Sequence, residues 1–420
     1  MGTRYVNRAY APVYIFAGGG TGGHLVPALA VAEALLAVQP GAGVVFACSD
    51  RPIDRRILSA TPFPFVPQPI RPLPRSLLGW GGFLKGLRGS RLVARDLLRD
   101  LRPAAVFGLG GFAAAVATRA AARAGIRTGL MSIDAMPGVA NRHLARYVDR
   151  IFSHYRRSQG EYGRWGGKVE LVGFPVRRSL LAADAAQARR FFGLRQDRQT
   201  LLVMSGSLGA ANINQAVAAL GADLDELAGQ WQLMHVAGPG KTDQAIGGGG
   251  EAPHARGPLH GVWRPRIHRS ILEFCDRMDL AYAAADLVLC RAGAATVGEL
   301  AAVGKPAVLV PYPYHRDQHQ RANAAEMVEA GAAEVVTDAC DPAENAEALR
   351  RSLIAVMRDP QRLAKMAGAA TGAGGPQSRY FGFGDPARTD AATGEAPMDI
   401  GAPARVRTDA AEKIARWLVG

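Results

Sequence analysis

A glycine-rich turn near the start of the sequence has the composition of an anion-binding site. The segment Ala17–His24 (AGGGTGGH) follows the apolar run VYIFA and precedes a stretch with helical apolar spacing. Glycine permits a positive φ, and free N–H groups at a helix N-terminus attract phosphate. Gly18, Gly20 and Gly23 fit G-x-G-x-x-G, so a dinucleotide site with Asp50 as the ribose-binding acid is one interpretation. A purely structural turn is the other, and a Walker loop is excluded because no Gly-Lys-Ser/Thr follows.

The later part of the chain contains two further turns of this kind. Ser205–Gly209 (SGSLG) follows the strand-like run LLVM, and Cys290–Glu299 (CRAGAATVGE) joins a strand to a helix. Glu299 lies one turn into that helix, where a carboxylate can accept hydrogen bonds from ribose hydroxyls; a merely favourable first-turn acid is the alternative. Residues 311–324 (PYPYHRDQHQRANA) are dense in amides and imidazoles, which suit sugar hydroxyls or a solvated helix start.

The segments around these turns predict two parallel sheets. Short apolar runs alternate with Ala/Leu/Arg-rich helical stretches up to residue 172, and the alternation restarts at QTLLVMSGSLGA after a Gly-Phe-Pro break. The sequence therefore predicts an α/β fold with two Rossmann-like, doubly wound domains. We expect these domains at residues 1–172 and 173–405, a flexible Gly/Ala/Pro-rich insert at 369–405, and a helix at 406–420 that packs back toward the first domain.

The charge of the chain is unevenly distributed. The net charge is +14, and residues 1–172 carry all of the excess, which indicates an anionic surface or polymer as a partner of the first half. Within residues 71–102, cations alternate with large apolar side chains. We expect 71–90, where glycine is dense, to form a loop that docks on an anionic membrane through Leu77, Leu78, Trp80, Phe83, Lys85 and Arg88. A core-facing amphipathic helix is the alternative.

Several of these segments together resemble the MurG family. The resemblance lies in GGGTGGHLVPALAVAEAL, in GSLGAANIN and most specifically in residues 273–324, and it extends from about residue 12 to 365. It implies a GT-B fold with an interdomain cleft and the transfer of N-acetylglucosamine from UDP-N-acetylglucosamine to undecaprenyl-pyrophosphoryl-N-acetylmuramyl-pentapeptide. Such an enzyme acts in peptidoglycan synthesis at the cytoplasmic face of the cell membrane, as a peripheral protein that needs no cofactor.

The resemblance also assigns roles to individual residues. Glu299 would hold the ribose, the backbone of the helix start would meet the diphosphate, Cys275 would meet the uracil through its backbone, and Gln320 and His319 would read the sugar. The substrate-binding positions are Thr21, Gly22, Gly23, Asp134, Asn141, Arg177, Ser207, Asn214, Cys275, Arg291, Ala294, Ala295, Thr296, Val297, Gly298, Glu299, His319 and Gln320.

Inverting transfer requires a general base, and His24 is the candidate. Its ordinary pKa suits proton abstraction from an acceptor hydroxyl, although a ring bonded to the turn or to phosphate is the alternative. No metal site is expected, because the D-x-D at Asp223 and Asp225 lies in a helix-like segment. Residues Met131–Asp134 depart from the family's His-Glu-Gln-Asn: Asp134 replaces an amide and Ser132 replaces an acid. The departure bears on the identity of the acceptor.

Other functions remain open on the sequence alone. A GT-B transferase with the same donor and a different lipid or small-molecule acceptor fits the departure at residues 131–134. An NAD-binding Rossmann oxidoreductase fits the first glycine-rich turn taken by itself. A nucleic-acid partner is not expected, because the basic character comes without a recognition motif.

Overall fold

The computed structural model describes most of the chain as two compact units. The first unit contains the described residues up to Arg177 together with the C-terminal helix, and the second begins at Arg178. The structure thus places the division after residue 177, whereas the sequence placed it after residue 172. The described residues are 11–20, 22–71, 74, 76, 79–204, 209–246, 266–314, 318–372 and 410–420.

The first unit is built on a seven-stranded parallel sheet. Its strands are β1 Val13–Gly18, β2 Gly43–Ser49, β3 Phe65–Gln68, β4 Ala105–Gly110, β5 Arg127–Ser132, β6 Arg150–Ser153 and β7 Val169–Leu171. Their order is β3-β2-β1-β4-β5-β6-β7. The strands up to β3 are thus added on one side of β1 and those from β4 onward on its other side, so the strand order reverses between β1 and β4. Parallel sheets of this type bind ligands at the carboxyl ends of the strands beside such a reversal.

Helices cover the sheet of the first unit. They are α1 Gly22–Val38, α2 Pro52–Ser59, α3 Trp80–Leu101, α4 Gly111–Arg123, α5 Val139–Leu144 and α6 Arg157–Glu161, followed by a 3-10 helix at Gly163–Lys168. The strands are apolar on both faces because helices pack on both. Phe16, Phe46 and Phe107 are buried, and the centroid of the Phe16 ring lies 5.3 Å from that of Phe46 and 5.5 Å from that of Phe107.

Helix α3 corrects the expectation of a loop at residues 80–90. The helix starts at Trp80 and runs through the glycine-dense segment. A Cβ atom at Gly86 would lie 2.4 Å from the Pro69 carbonyl oxygen, and one at Gly89 would lie 2.8 Å from Pro69 Cγ. These glycines therefore allow the helix to pack closely on the segment after β3 and do not mark a loop.

The second unit contains a six-stranded parallel sheet. Its strands are β8 Gln199–Met204, β9 Trp231–Val236, β10 His268–Leu272, β11 Leu287–Cys290, β12 Ala307–Leu309 and β13 Ala333–Val335. Their order is β10-β9-β8-β11-β12-β13, with a reversal between β8 and β11. Its helices are α7 Arg178–Ala182, α8 Ala185–Phe191, α9 Ala211–Ala219, α10 Gly221–Glu226, α11 Thr242–Ile246, α12 Met278–Ala284, α13 Ala294–Val303, α14 His319–Glu329, α15 Pro342–Leu349, α16 Ala355–Arg358 and α17 Pro360–Ala370, with a π-helical turn at Arg350–Ile354. The predicted fold class, two doubly wound α/β domains, is confirmed.

The last helix, α18 (Ala410–Val419), belongs to the first unit, where it packs against α1. Its Trp417 ring lies 5.2 Å from the Phe152 ring and 4.9 Å from the Arg127 guanidinium. Helix α17 continues to Ala370, so the first residues of the expected insert at 369–405 are helical; residues 373–405 lie outside the described chain. Among the described helices, none is both long and apolar enough to cross a membrane.

Candidate functional site

The first glycine-rich turn is held in place by the buried carboxylate of Asp54. Both oxygens of Asp54 accept from the Gly20 N–H, at 2.9 and 2.8 Å, and Oδ2 also accepts from the N–H and hydroxyl of Ser49 at 3.0 and 2.6 Å. A Cβ atom at Gly19 would lie 2.2 Å from Asp54 Oδ2, so the turn requires glycine there. The Gly20 N–H is therefore occupied, and the adjacent negative charge disfavours a pyrophosphate at this turn.

His24 lies in the first turn of α1, against the carboxyl end of β4. A Cβ atom on Gly110 would lie 3.0 Å from His24 Cδ2, 3.1 Å from its Nε2 and 3.2 Å from Asn141 Oδ1. The imidazole and the amide therefore meet at Gly110. Burial lowers the pKa of His24, and the charges of Asp134 and Asp54 oppose that effect. A neutral imidazole at physiological pH is able to accept a proton.

The residues that depart from the family pattern lie at the same sheet edge as His24. Ser132 ends β5 and is buried, and Asp134 follows it in a partly buried position. Asn141 is 7 % exposed and donates to the Met131 carbonyl at 3.2 Å, which ties α5 to the end of β5. The structure thus brings Asp134 and Asn141 to the same edge of the sheet as His24.

The remaining predicted positions of the first unit lie beside His24, apart from this cluster or outside the described chain. Gly22 and Gly23 form the start of α1. Arg177 pairs with Glu33 of α1, with 2.7 Å between its Nη2 and Glu33 Oε1, and keeps about half of its side chain exposed. The predicted residues Thr21, Leu77, Leu78 and Ser207 lie outside the described residues.

In the second unit, the start of α13 presents backbone donors without a side-chain cap. The N-cap residue is Gly293, which has no side chain to accept a hydrogen bond from the first turn. Ala294, Ala295 and Thr296 are the first three residues of this ten-residue helix, and Val297 and Gly298 are buried behind them. The N–H groups of a first helical turn have no acceptor within the helix. This helix start is therefore suited to a phosphate.

Glu299 lies further along α13 and is partly exposed. Its Oε2 accepts a hydrogen bond from the Tyr282 hydroxyl at 2.8 Å. Burial raises the pKa of Glu299 to about 7, and the bond from Tyr282 opposes this rise. A carboxylate in this position has the chemistry to accept hydrogen bonds from hydroxyl groups.

Arg291 is committed to a buried ion pair. Its guanidinium lies 2.7 Å from Asp338 Oδ2, with side chains 14 % and 0 % exposed, and it also donates to the Val310 carbonyl at 3.2 Å. Asp338 accepts in addition from Asn345 at 2.8 Å. Arg291 thus holds the segment after β12 in place. A direct contact of its guanidinium with the sugar nucleotide, as predicted, would compete with the ion pair to Asp338.

His319 and Gln320 open α14 beside that segment. Gln320 Oε1 accepts from the Tyr312 N–H at 2.9 Å, and both predicted side chains are partly exposed. A pocket of about 120 Å³ adjoins them. It is lined by Pro311, Tyr312, Pro313, Gln318, Arg321, Thr337 and Asp338.

Cys275 and Asn214 are buried. Cys275 is 8 % exposed before α12, and burial raises the pKa of its thiol to about 11. Asn214 is fully buried, with Nδ2 2.9 Å from the Ala237 carbonyl and Oδ1 3.0 Å from His235 Nε2. The substrate contact predicted for Asn214 has no exposed atom to support it, and the residue instead braces α9 against the end of β9.

The exposed side of α3 combines apolar and cationic side chains. Trp80 and Leu84 are 43 % and 50 % exposed, and Trp80 contacts the partly buried Phe83 edge-on at 5.7 Å. Lys85 and Arg88 are exposed one to two turns further along the helix. The predicted membrane residues that are described therefore lie at the start of one helix.

Both carboxylates of the D-x-D pair make contacts within the second unit. Asp223 lies 3.1 Å from Arg350 Nε, and Asp225 accepts from the backbone N–H groups of Arg266 and Ile267 at 2.8 and 3.0 Å. Both carboxylates thus anchor neighbouring segments. Among the described residues, no group of three or more His, Cys, Asp or Glu side chains is arranged to hold a metal ion.

Sequence reasoning missed Asp54, Tyr282 and Asp338. Each is a buried polar side chain that holds a predicted site residue or turn in place. Asp54 stands among Arg51, Arg55 and Arg56, so it reads as part of a solvated helix. Its position in the first turn of α2, after the neighbouring strand of the sheet, is a sequence signal that points toward the glycine-rich turn.

Comparison with known proteins identifies both units. Residues 14–153 match the family model described as glycosyltransferase family 28 N-terminal domain, and residues 200–376 match the glycosyltransferase family 28 C-terminal domain. The chain is 39 % identical over 369 residues to the "UDP-N-acetylglucosamine--N-acetylmuramyl-(pentapeptide) pyrophosphoryl-undecaprenol N-acetylglucosamine transferase" of Acidothermus cellulolyticus, covering 86 % of this chain and 93 % of the relative. It is 36 % identical to the Streptomyces coelicolor protein of the same name, covering 85 % and 92 %.

Solved structures give the same fold. The chain superposes on Acinetobacter baumannii MurG with a TM-score of 0.60 at 25 % identity, covering 86 % of this chain and 94 % of that one. A UDP-GlcNAc 2-epimerase from Neisseria meningitidis bound to UDP-GlcNAc shares the fold at 16 % identity, with a TM-score of 0.57 and coverage of 85 % and 97 %.

Proposed function

The chain belongs to the family of UDP-N-acetylglucosamine--N-acetylmuramyl-(pentapeptide) pyrophosphoryl-undecaprenol N-acetylglucosamine transferases, and from this premise we propose how its residues share the reaction. It is a hexosyltransferase of peptidoglycan synthesis that transfers N-acetylglucosamine from UDP-N-acetylglucosamine to the lipid-linked muramyl-pentapeptide. In our proposal the second unit binds the donor, and the first unit presents the acceptor and the base.

The start of α13 stabilises the departing UDP. As the bond between sugar and phosphate breaks, negative charge grows on the diphosphate, and fixed N–H dipoles stabilise such charge without reorganisation. The first turn at Ala294–Thr296 supplies these dipoles, Glu299 accepts from the ribose, and Gln320 and His319 contact the sugar. The observation that carries this proposal is the helix start capped only by Gly293, with a partly exposed carboxylate further along the same helix.

His24 acts as the general base in a single inverting displacement. The acceptor hydroxyl loses its proton to the imidazole while its oxygen attacks the anomeric carbon and UDP departs. Burial lowers the pKa of His24, which keeps the ring neutral before the reaction. The charges of Asp134 and Asp54 then favour the imidazolium that forms.

Asp134 and Asn141 define the acceptor side. Asn141 is nearly buried at Gly110, so it fixes the surroundings of the imidazole. Asp134 supplies negative charge near the ring where the family pattern has an amide, while Ser132 leaves the usual acidic position neutral. We therefore propose that Asp134, and not residue 132, supplies the acidic side chain at this edge of the sheet.

The exposed start of α3 docks the enzyme on the membrane. A lipid-linked acceptor requires the enzyme at the bilayer, and exposed Trp80 and Leu84 with Lys85 and Arg88 suit an anionic headgroup layer. We propose peripheral attachment at the cytoplasmic face. Co-sedimentation with anionic vesicles at low salt is expected to exceed that with neutral vesicles, and to fall in a Trp80→Ser, Leu84→Ser variant. Equal binding to both vesicle types would refute the attachment.

Calorimetry and one histidine variant test the proposal. UDP and UDP-N-acetylglucosamine are expected to bind without divalent metal, whereas NAD is not; binding of NAD alone would refute the donor assignment. His24→Ala is expected to lower kcat by about 100-fold or more, the range for loss of a general base. The control is His143→Ala, an exposed histidine of α5. Turnover of His24→Ala within a few-fold of the wild type would exclude it as the base.

A further inference from the structure

Tyr282 connects α12 to the carboxylate of α13. Its side chain is 1 % exposed, yet its hydroxyl reaches Glu299 Oε2 at 2.8 Å. No other hydrogen bond to the Glu299 side chain is present among the described residues, so Oε2 is held from the protein interior and Oε1 keeps its capacity to accept a hydrogen bond. The contact crosses between two helices and depends on the position of the tyrosine hydroxyl.

The surroundings of this pair make Tyr282 the donor. Burial, followed by the charge of Glu299, raises the pKa of Tyr282 well above its ordinary value, so the hydroxyl keeps its proton. The nearby thiols of Cys275 and Cys290 are also buried, and burial raises the pKa of each, so both stay neutral. In this part of the described chain, the hydrogen bond from Tyr282 thus lowers the pKa of Glu299, which burial raises.

We propose that Tyr282 is a positioning residue for nucleoside recognition: its hydroxyl holds one oxygen of Glu299 and thereby orients the other toward the 2′- and 3′-hydroxyls of a ribose. The inference rests on the proposed function, in which Glu299 accepts from the ribose of the donor. It extends that function from the carboxylate to the buried hydroxyl behind it. A carboxylate without this anchor rotates freely and loses part of its selectivity for a cis-diol.

The test compares two ligands in wild type and Tyr282→Phe. The probes are UDP and 2′,3′-dideoxy-UDP, which lacks both hydroxyls. We expect Tyr282→Phe to weaken UDP binding by about ten-fold, the range of one charge-assisted hydrogen bond, and to change dideoxy-UDP binding by less than about two-fold. The matched control is Trp231→Phe, which removes another buried aromatic donor of this unit, the 3.0 Å bond from Trp231 Nε1 to the Met357 carbonyl.

A pH profile gives the second readout. Burial raises the pKa of Glu299 to about 7, so UDP binding is expected to weaken below that pH. Removal of the Tyr282 donor is expected to move this midpoint upward, because the bond favours the charged carboxylate. Trp231→Phe is expected to leave the midpoint unchanged, and thermal unfolding establishes that both variants are folded.

The outcomes separate this inference from the proposed function. If wild type discriminates between the ligands and Tyr282→Phe weakens both equally with an unchanged midpoint, the tyrosine is only structural and the inference is overturned. If wild type binds both ligands equally well, the role of Glu299 in the proposed function fails as well. If Tyr282→Phe does not fold, the double variant Tyr282→Phe, Glu299→Gln is prepared, and its UDP binding is compared with that of Glu299→Gln alone. A further ten-fold loss of UDP binding in the double variant would also refute positioning through Glu299.

Discussion

A methyl group at Gly110 tests whether the position of His24 limits catalysis. Gly110 has φ 94° and ψ 173°, a backbone conformation that is almost restricted to glycine. In a Gly110→Ala protein, the new Cβ would lie 3.0 Å from His24 Cδ2 and 3.1 Å from its Nε2, where ordinary contacts begin at 3.4 Å. The imidazole must therefore shift by a few tenths of an ångström.

The size of the effect follows from that shift. A misplacement of about 1 Å at a reacting group costs about 100-fold in rate, so a few tenths of an ångström correspond to a kcat loss of about five-fold. The backbone strain adds a stability loss of about 1–3 kcal/mol. Gly111→Ala is the matched control, because its φ is also positive, at 72°, and its Cβ meets only the Gly19 carbonyl at an ordinary 3.5 Å.

The assay is steady-state transfer from UDP-N-acetylglucosamine to a lipid-linked acceptor, with chemical unfolding measured in parallel. Gly110→Ala is expected to lower kcat while the KM for the donor stays unchanged, and Gly111→Ala is expected to lose stability alone. If both variants lower kcat equally, or neither does, the contact between Gly110 and His24 does not position the base.

Three further predictions concern buried charges. Burial raises the pKa of Glu299 from 4.5 to about 7, so between these pH values the folded protein binds more protons than the unfolded protein. The free energy of unfolding is therefore expected to fall by up to about 3 kcal/mol as the pH rises through this window. Thermal unfolding of Glu299→Gln is expected to lack this pH dependence. Asp54→Asn is expected to cost about 3 kcal/mol in urea denaturation, because an amide cannot accept from Gly20 through both of its atoms; unchanged stability would contradict the clamp. Arg291→Met leaves Asp338 buried without a counter-charge and is expected to cost about 3–5 kcal/mol, and a wild-type melting temperature would exclude this.

The sequence predicts the strands of this fold closely. The runs VYIFA, VVFAC and RTGLMS correspond to β1, β2 and β5 within one residue at each end. This accuracy has a physical cause: parallel strands covered by helices on both faces are apolar throughout, so each appears as a short unbroken run between helical segments. The repeated alternation also predicts two doubly wound sheets, and the structure shows one reversal of strand order in each.

Contacts that join distant segments were not predictable in the same way. Asp54 reaches Gly20 across 34 residues, and Tyr282 reaches Glu299 across 17, and neither contact leaves a periodic signal. Gly86 and Gly89 misled the reading of α3, because glycine marks close packing as well as loops. Asn214 and Arg291 occupy positions predicted to contact substrate, yet their polar atoms are engaged within the protein.

The position of α18 has a consequence for biosynthesis. The helix rests on α1 and inserts Trp417 beside Gly129, where a Cβ atom would lie 3.0 Å from the indole. On the ribosome, the second unit is synthesised before residues 410–420 emerge, so it is able to fold while the first still lacks this covering helix. The apolar flank of α1 stays uncovered during that interval, and a holdase chaperone that recognises exposed apolar surface is expected to engage the nascent chain there.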